Sequence, residues 1–155
     1  MYNRRQWCQA VVMSAIGIRS QAQSMGPDVP LPHTASLHDA LHAAASQHKA
    51  LLVMASLDGC GFCRIARTLH LWPLLRAGQP MVQLEMRSAT AVLDFNGKQS
   101  THDELLRRWR IRVAPTILFF GTAGQEVAER MEGAGLPDFY GAYLEDRMQR
   151  ANATV

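Results

Sequence analysis

The run Ala50 to Leu57, "ALLVMASL", constrains the fold more than any other stretch of the chain. It is a continuous apolar run of strand length with no inside–outside alternation, so a strand made from it must be covered on both faces. Helical patterns stand on either side of it. From Thr34, "TASLHDALHAAASQHKA" puts Leu37, Leu41 and Ala44 or Ala45 on one face, with Ser36 as a cap. From Cys60 to about Leu71 the spacing predicts a second helix with Ile65, Leu69 and Trp72 inward, stopped or kinked by Pro73. Met81 to Arg87 alternates as a strand. Asn96-Gly97 marks a turn, so a small hairpin is expected as an insertion around residues 91–100. "THDELLRRWRI" reads as a helix opened by a capping box, Thr101 with Glu104. "APTILFFG" and "QEVAERMEG" read as two strands joined by a turn at Gly121 to Gly124. "LPDFYGAYLEDRMQRA" closes the chain as a helix with Pro137 near its start. The expected class is α/β, a mixed central sheet flanked by helices on both faces.

The 155 residues suffice for one compact domain, and 48% hydrophobic content excludes disorder as the main class. No apolar run approaches the roughly 20 residues of a membrane span. The N-terminus has its own pattern. Arg4 and Arg5 precede a mostly apolar stretch, Trp7 to Ile18, and Ser20 and Ala22 occupy small-residue positions of a cleavage site. This is the arrangement of a secretory signal, the alternative being an uncleaved amphipathic helix. The expected division is a signal over 1–22, a linker over 23–33 containing the proline-rich "MGPDVPLP", and a folded domain over 34–152.

Removing residues 1–22 takes away Arg4, Arg5 and Arg19, so the formal charge falls from +3 to zero. A nucleic-acid partner then loses its electrostatic argument. The same cut removes Cys8 and leaves Cys60 and Cys63, one possible bridge, in a compartment where disulfides persist.

Three features together resemble the thioredoxin-like superfamily, and its exported single-domain members in particular. The first is a strand, then Cys60-Gly61-Phe62-Cys63, then a helix. The second is "VAPT", Val113 to Thr116, opening a later strand. The third is Gly133 between the last strand and the last helix. The resemblance spans about Leu51 to Met148. It implies a thioredoxin-like fold and a cis Pro115 facing the cysteines. It also implies thiol–disulfide exchange with protein substrates and a membrane electron donor. Two departures stand out. Met54 occupies the place of an aspartate that accepts a proton in thioredoxins, and Gly59 and Gly61-Phe62 replace the usual tryptophan and Gly-Pro.

The residues give that chemistry a physical basis. Cys60 at a helix start meets unpaired N–H groups and the positive end of the dipole, which favour a thiolate. The thiolate is the nucleophile, and such a site lowers a thiol pKa from about 8.5 toward neutrality. Cys63, nearly one turn on, faces the same side and can resolve a mixed disulfide. Gly61 and Phe62 leave both intervening amides available to the sulfur and so tune it. Arg64 and Arg67 can add positive potential, Arg64 being equally suited to solvent. The backbone at Ala114 and Pro115 could pair with an extended substrate segment. Asp58 is taken as a loop or cap residue.

Competing readings are a metal clip and a structural staple. Zinc wants four ligands and two cysteines supply half. The six histidines, including the i, i+4 pair His38 and His42, have no spacing to the cysteines, and His70 lies ten residues past Cys60. Soft thiolates could still handle Cu(I), or hold one partner in a non-catalytic module. A ring closed over so few residues removes little unfolded-state entropy and would be a poor staple. "RRWR", Arg107 to Arg110, reads as the wet face of a helix. The expectation is therefore a monomeric periplasmic thiol–disulfide oxidoreductase without cofactor or metal. It would act as a reductant, with an oxidase or isomerase-type partner as the alternative.

Overall fold

The computed structural model describes residues 29–134 and 137–155, so the signal-like segment lies outside the described residues. The apolar run forms β1 (Leu51–Ser56), buried at every position. It is parallel to β2 (Met81–Glu85) and antiparallel to β5 (Thr116–Phe120), which pairs antiparallel with β6 (Met131–Glu132). The sheet order is β2-β1-β5-β6. The small hairpin is β3 (Ala91–Leu93) with β4 (Gln99–Thr101), a separate ribbon.

Strand periodicity sorts the core into two layers. Leu52 and Met54 of β1, with Ile117 and Phe119 of β5, pack against Cys63, Ala66 and Leu71, and against Tyr140 and Leu144 of α5 (Pro137–Asn152). Leu51, Val53 and Ala55, with Leu118 and Phe120, face the other way. They meet Leu37, Leu41 and Ala44 of α1 (Leu37–Ala45), and Leu105 and Leu106 of α4 (His102–Arg108). Each such fully buried aliphatic or aromatic chain contributes about 1.5–3 kcal/mol of transfer free energy. Both helix caps form as the sequence suggests. Ser36 Oγ accepts the Asp39 N–H, and Thr101 and Glu104 make the reciprocal capping box. Of the proline-rich stretch, Leu31 packs into the core and the Pro32 carbonyl accepts the Gln83 N–H at 2.9 Å.

Two expectations fail. The helix after the cysteines does not end at Pro73. It runs as α2 (Gly61–Ile65), a π-helical stretch (Ala66–Leu71) and α3 (Trp72–Arg76). The Trp72 N–H reaches back five residues to the Arg67 carbonyl, and the widened turn accommodates a proline at the start of α3. The buried face is Cys63, Ala66, Arg67 and Leu71, whereas Leu69 is exposed and Ile65 and Trp72 only partly buried. The second strand of the terminal hairpin is also far shorter than expected. The turn at Gly121–Gly124 forms, but past a single bridge at Glu126 the chain leaves the sheet until Met131. There Glu126 and Arg130 pair with each other, and the Arg130 guanidinium donates to the Trp109 carbonyl.

Candidate active site

β1 delivers the chain to a tight turn in which the Cys60 N–H donates to the Leu57 carbonyl at 3.2 Å. Gly59 holds the third turn position with φ +71°, where a residue with a Cβ would be strained. This turn explains why glycine precedes the first cysteine. Cys60 then caps α2. Its backbone is extended and its Sγ accepts the Cys63 N–H at 3.1 Å. The two cysteines form a disulfide with Cα atoms 5.2 Å apart. Cys60 is part-exposed, while Cys63 is 0% exposed and packs in the core cluster that also holds Met54.

The second expected element sits beside the first. The Ala114–Pro115 peptide is cis, and the Ala114 carbonyl oxygen lies 3.9 Å from Cys60 Sγ. The loop is pinned at both ends. Thr116 Oγ1 donates to the Val113 carbonyl at 2.7 Å, and the Gly133 N–H donates to the Pro115 carbonyl at 2.8 Å. Gly133 takes φ +74° to do so. Phe62, at 63% exposure, and Val113 put large apolar side chains on the surface from the two segments that flank the sulfur. Gly61 is exposed, as are Asp58 and Arg64.

Arg67 is the residue whose role the spacing underestimates. It is buried and donates to Ser56 Oγ at 3.1 Å and to Gln83 Oε1 at 3.2 Å. Gln83 Nε2 in turn donates to the Glu85 carboxylate. Burying a guanidinium is tolerable because its hydrogen bonds are supplied. The end of β1, the active-site helix and β2 are thus joined by polar side chains. These groups line a cleft of about 1020 Å³ that opens at Cys60 and Gly61 and reaches Arg87 and Ser88. Ser56, Gln83 and Glu85 are absent from the sequence-based site. The available signals were a glutamine inside a buried strand and an arginine four residues past Cys63.

The histidines lie elsewhere. His38 and His42 place their rings 4.4 Å apart on the exposed face of α1. His70 packs on Tyr140, and burial lowers its pKa; burial raises the Tyr140 phenol to about 12. His102, 1% exposed, accepts the Glu85 N–H through Nδ1. Burial, and secondarily His33, lower its pKa against the opposing pull of Glu85. Among the described residues no three His, Cys, Asp or Glu side chains come together as a metal group.

The model of the thioredoxin-like domain matches residues 37–147, a span that contains both cysteines and Pro115. The chain belongs to the thioredoxin-like family. Among solved structures, this thioredoxin-like chain is similar to a thioredoxin-fold protein from Helicobacter pylori, at 17% identity and TM-score 0.54. That match covers 69% of this chain and 73% of the other. A DsbH oxidoreductase matches at 18% identity and TM-score 0.52, covering 83% and 92%. At this identity both likenesses are of fold. A comparison with curated proteins found no match. A thioredoxin-like fold carrying a cysteine pair that closes to a disulfide supports thiol–disulfide oxidoreductase activity.

Proposed function

We propose that this protein reduces disulfides in exported proteins, with Cys60 as nucleophile and Cys63 as resolving thiol. The observation that carries the reading is the asymmetry of the pair. One sulfur is part-exposed and accepts a helix-start N–H, and the other is fully buried beside it. In the dithiol form the Cys60 thiolate attacks one sulfur of a substrate disulfide. The Cys60–substrate bond forms, the substrate disulfide breaks, and the first substrate sulfur leaves and takes up a proton. Cys63 then gives up its proton and attacks Cys60 Sγ, releasing the second substrate thiol. Two electrons and two protons have passed to the substrate, and the protein holds the Cys60–Cys63 disulfide.

Gly61 and Phe62 tune the sulfur by leaving their amides in the first turn. The edge at Ala114–Pro115 binds the substrate backbone, and exposed Phe62 and Val113 offer apolar contact that tolerates many sequences. Export is supported by the Arg4–Ala22 pattern, and the periplasm is the matching compartment. The reductant direction is supported by the likeness of the cysteine and Val113–Thr116 motifs to exported thioredoxin-like proteins, and calls for a membrane electron donor. Equilibration of the Cys60–Cys63 pair against glutathione tests the direction. A potential near about −270 mV marks a reductant, and one near about −120 mV marks an oxidant and overturns it.

A further inference from the structure

Cys60 stands between two surfaces. On the β5 side lies the cis-proline loop. On the β2 side lies the large cleft, lined by none of Val113, Ala114 or Pro115. We propose that this second surface is a subsite for a carboxylate carried close to the reacting disulfide of the substrate, with Arg64 and Arg87 as its recognising cations. The proposal rests on the exchange reading above and adds a charge preference to it.

The lining is polar and unevenly committed. Arg64, Arg67 and Arg87 share the lining with Asp58 and Glu85. The floor is internally bonded, since Arg67 serves Ser56 and Gln83, and Gln83 serves the Glu85 carboxylate. The guanidinium groups of Arg64 and Arg87 have no hydrogen-bond or ion-pair partner among the described residues. Arg64 follows Cys63 directly. Arg87 is set just past the end of β2 in the left-handed region, φ +60°, unusual for a residue with a long side chain. It is held there by its backbone, whose N–H donates to Asp103 Oδ1 at 2.9 Å. The other oxygen of Asp103 is taken by Arg107 at 2.8 Å. Each oxygen of the carboxylate bound to the Arg87 backbone thus has a partner, and the Arg87 side chain lines the cleft. Gly59 and Gly61 add no side chain to the wall, and a Cβ at either would meet nothing within 4 Å. A substrate segment can therefore lie along the cleft while its sulfur reaches Cys60.

Two sources carry a carboxylate near a sulfur: an acidic residue flanking a cysteine in a protein, and a small thiol bearing its own carboxylates. The test uses the full chain with its cysteines reduced. Short disulfide-linked peptides carry Glu, Gln or Lys two residues from the cysteine, and kcat/KM is compared. The Glu peptide should exceed the Gln peptide about fivefold, and the Lys peptide should be slowest. The Glu-to-Gln ratio should fall toward one at about 0.3 M salt and in the Arg64→Gln, Arg87→Gln double variant. It should survive in Arg64→Lys, Arg87→Lys. Equal rates for the three peptides, together with no preference for the small carboxylate-bearing disulfide over its amide, overturn the subsite alone, as does a preference indifferent to both salt and the double substitution. Failure to reduce any peptide overturns the exchange reading as well. A small carboxylate-bearing disulfide, compared with its amide, assigns the source. Selectivity in the peptides marks an acidic protein segment, and selectivity confined to the small disulfide marks a low-molecular-weight thiol.

Discussion

The sulfur of Cys60 accepts the backbone N–H of Cys63 at 3.1 Å, so the first cysteine caps the helix that carries the second. The same helix turn thus bonds the two cysteines and supplies a donor to the sulfur that faces solvent. In the dithiol form that donor favours negative charge on Cys60. Burial among Leu52, Met54 and Ala66 disfavours it on Cys63.

Alkylation should divide the two thiols. With the protein reduced near neutral pH, Cys60 should react at least about tenfold faster than Cys63, since thiolate character and access both favour it. Mass mapping of timed digests separates these two from Cys8. Equal rates would remove the basis for assigning nucleophile and resolver.

The Ser56–Arg67–Gln83–Glu85 network should matter for stability. Gln83→Leu deprives the buried Arg67 of an acceptor and Glu85 of a donor. Losing these charge-assisted hydrogen bonds should cost about 1.5–3 kcal/mol. Urea unfolding of oxidised protein measures it. A change under half a kcal/mol, an amount roughly typical of surface sites, would mean the network is incidental.

His102 should make the fold acid-sensitive. Its folded pKa is depressed, so below the ordinary value of about 6.5 the unfolded chain binds more protons than the folded one. Its contribution is therefore full above that value and lost as pH falls from there through the depressed folded value. Urea midpoints should drop between pH 7.5 and 5, and drop less in His102→Gln. Identical pH dependence in both proteins would contradict the assignment.

The capping box of α4 offers a simpler test. Thr101→Ala removes the acceptor for the Glu104 N–H and should cost about 1 kcal/mol, against almost nothing for an exposed position such as Gln99→Ala.

What the sequence made legible follows local chemistry. A run without alternation located β1, Asn96-Gly97 located the hairpin, and Thr101 with Glu104 located the start of α4. The family resemblance carried by the cysteine spacing and Val113–Thr116, and not local chemistry, brought together the two segments that meet at the sulfur. The illegible parts depend on partners distant in the chain. The inward face of the active-site helix was misassigned because a buried arginine stands where an apolar residue would keep the period. The π turn adds to this, since one extra residue rotates later positions by about 100°. Pro73 looked like a stop because the wider turn that accommodates it leaves no mark in composition. Between the bridge at Glu126 and the short β6 the chain leaves the sheet, and Glu126 pairs with Arg130 across that gap, although Val127 and Met131 keep strand-like chemistry.

The most direct test of the exchange mechanism is capture of its intermediate. Reduced Cys63→Ser protein, mixed with a disulfide-linked peptide, should accumulate a covalent adduct on Cys60, visible by intact mass and released by dithiothreitol. Cys60→Ser should form no such adduct and reduce no disulfide. Adduct formation through Cys63, or undiminished reduction by either variant, would contradict the account.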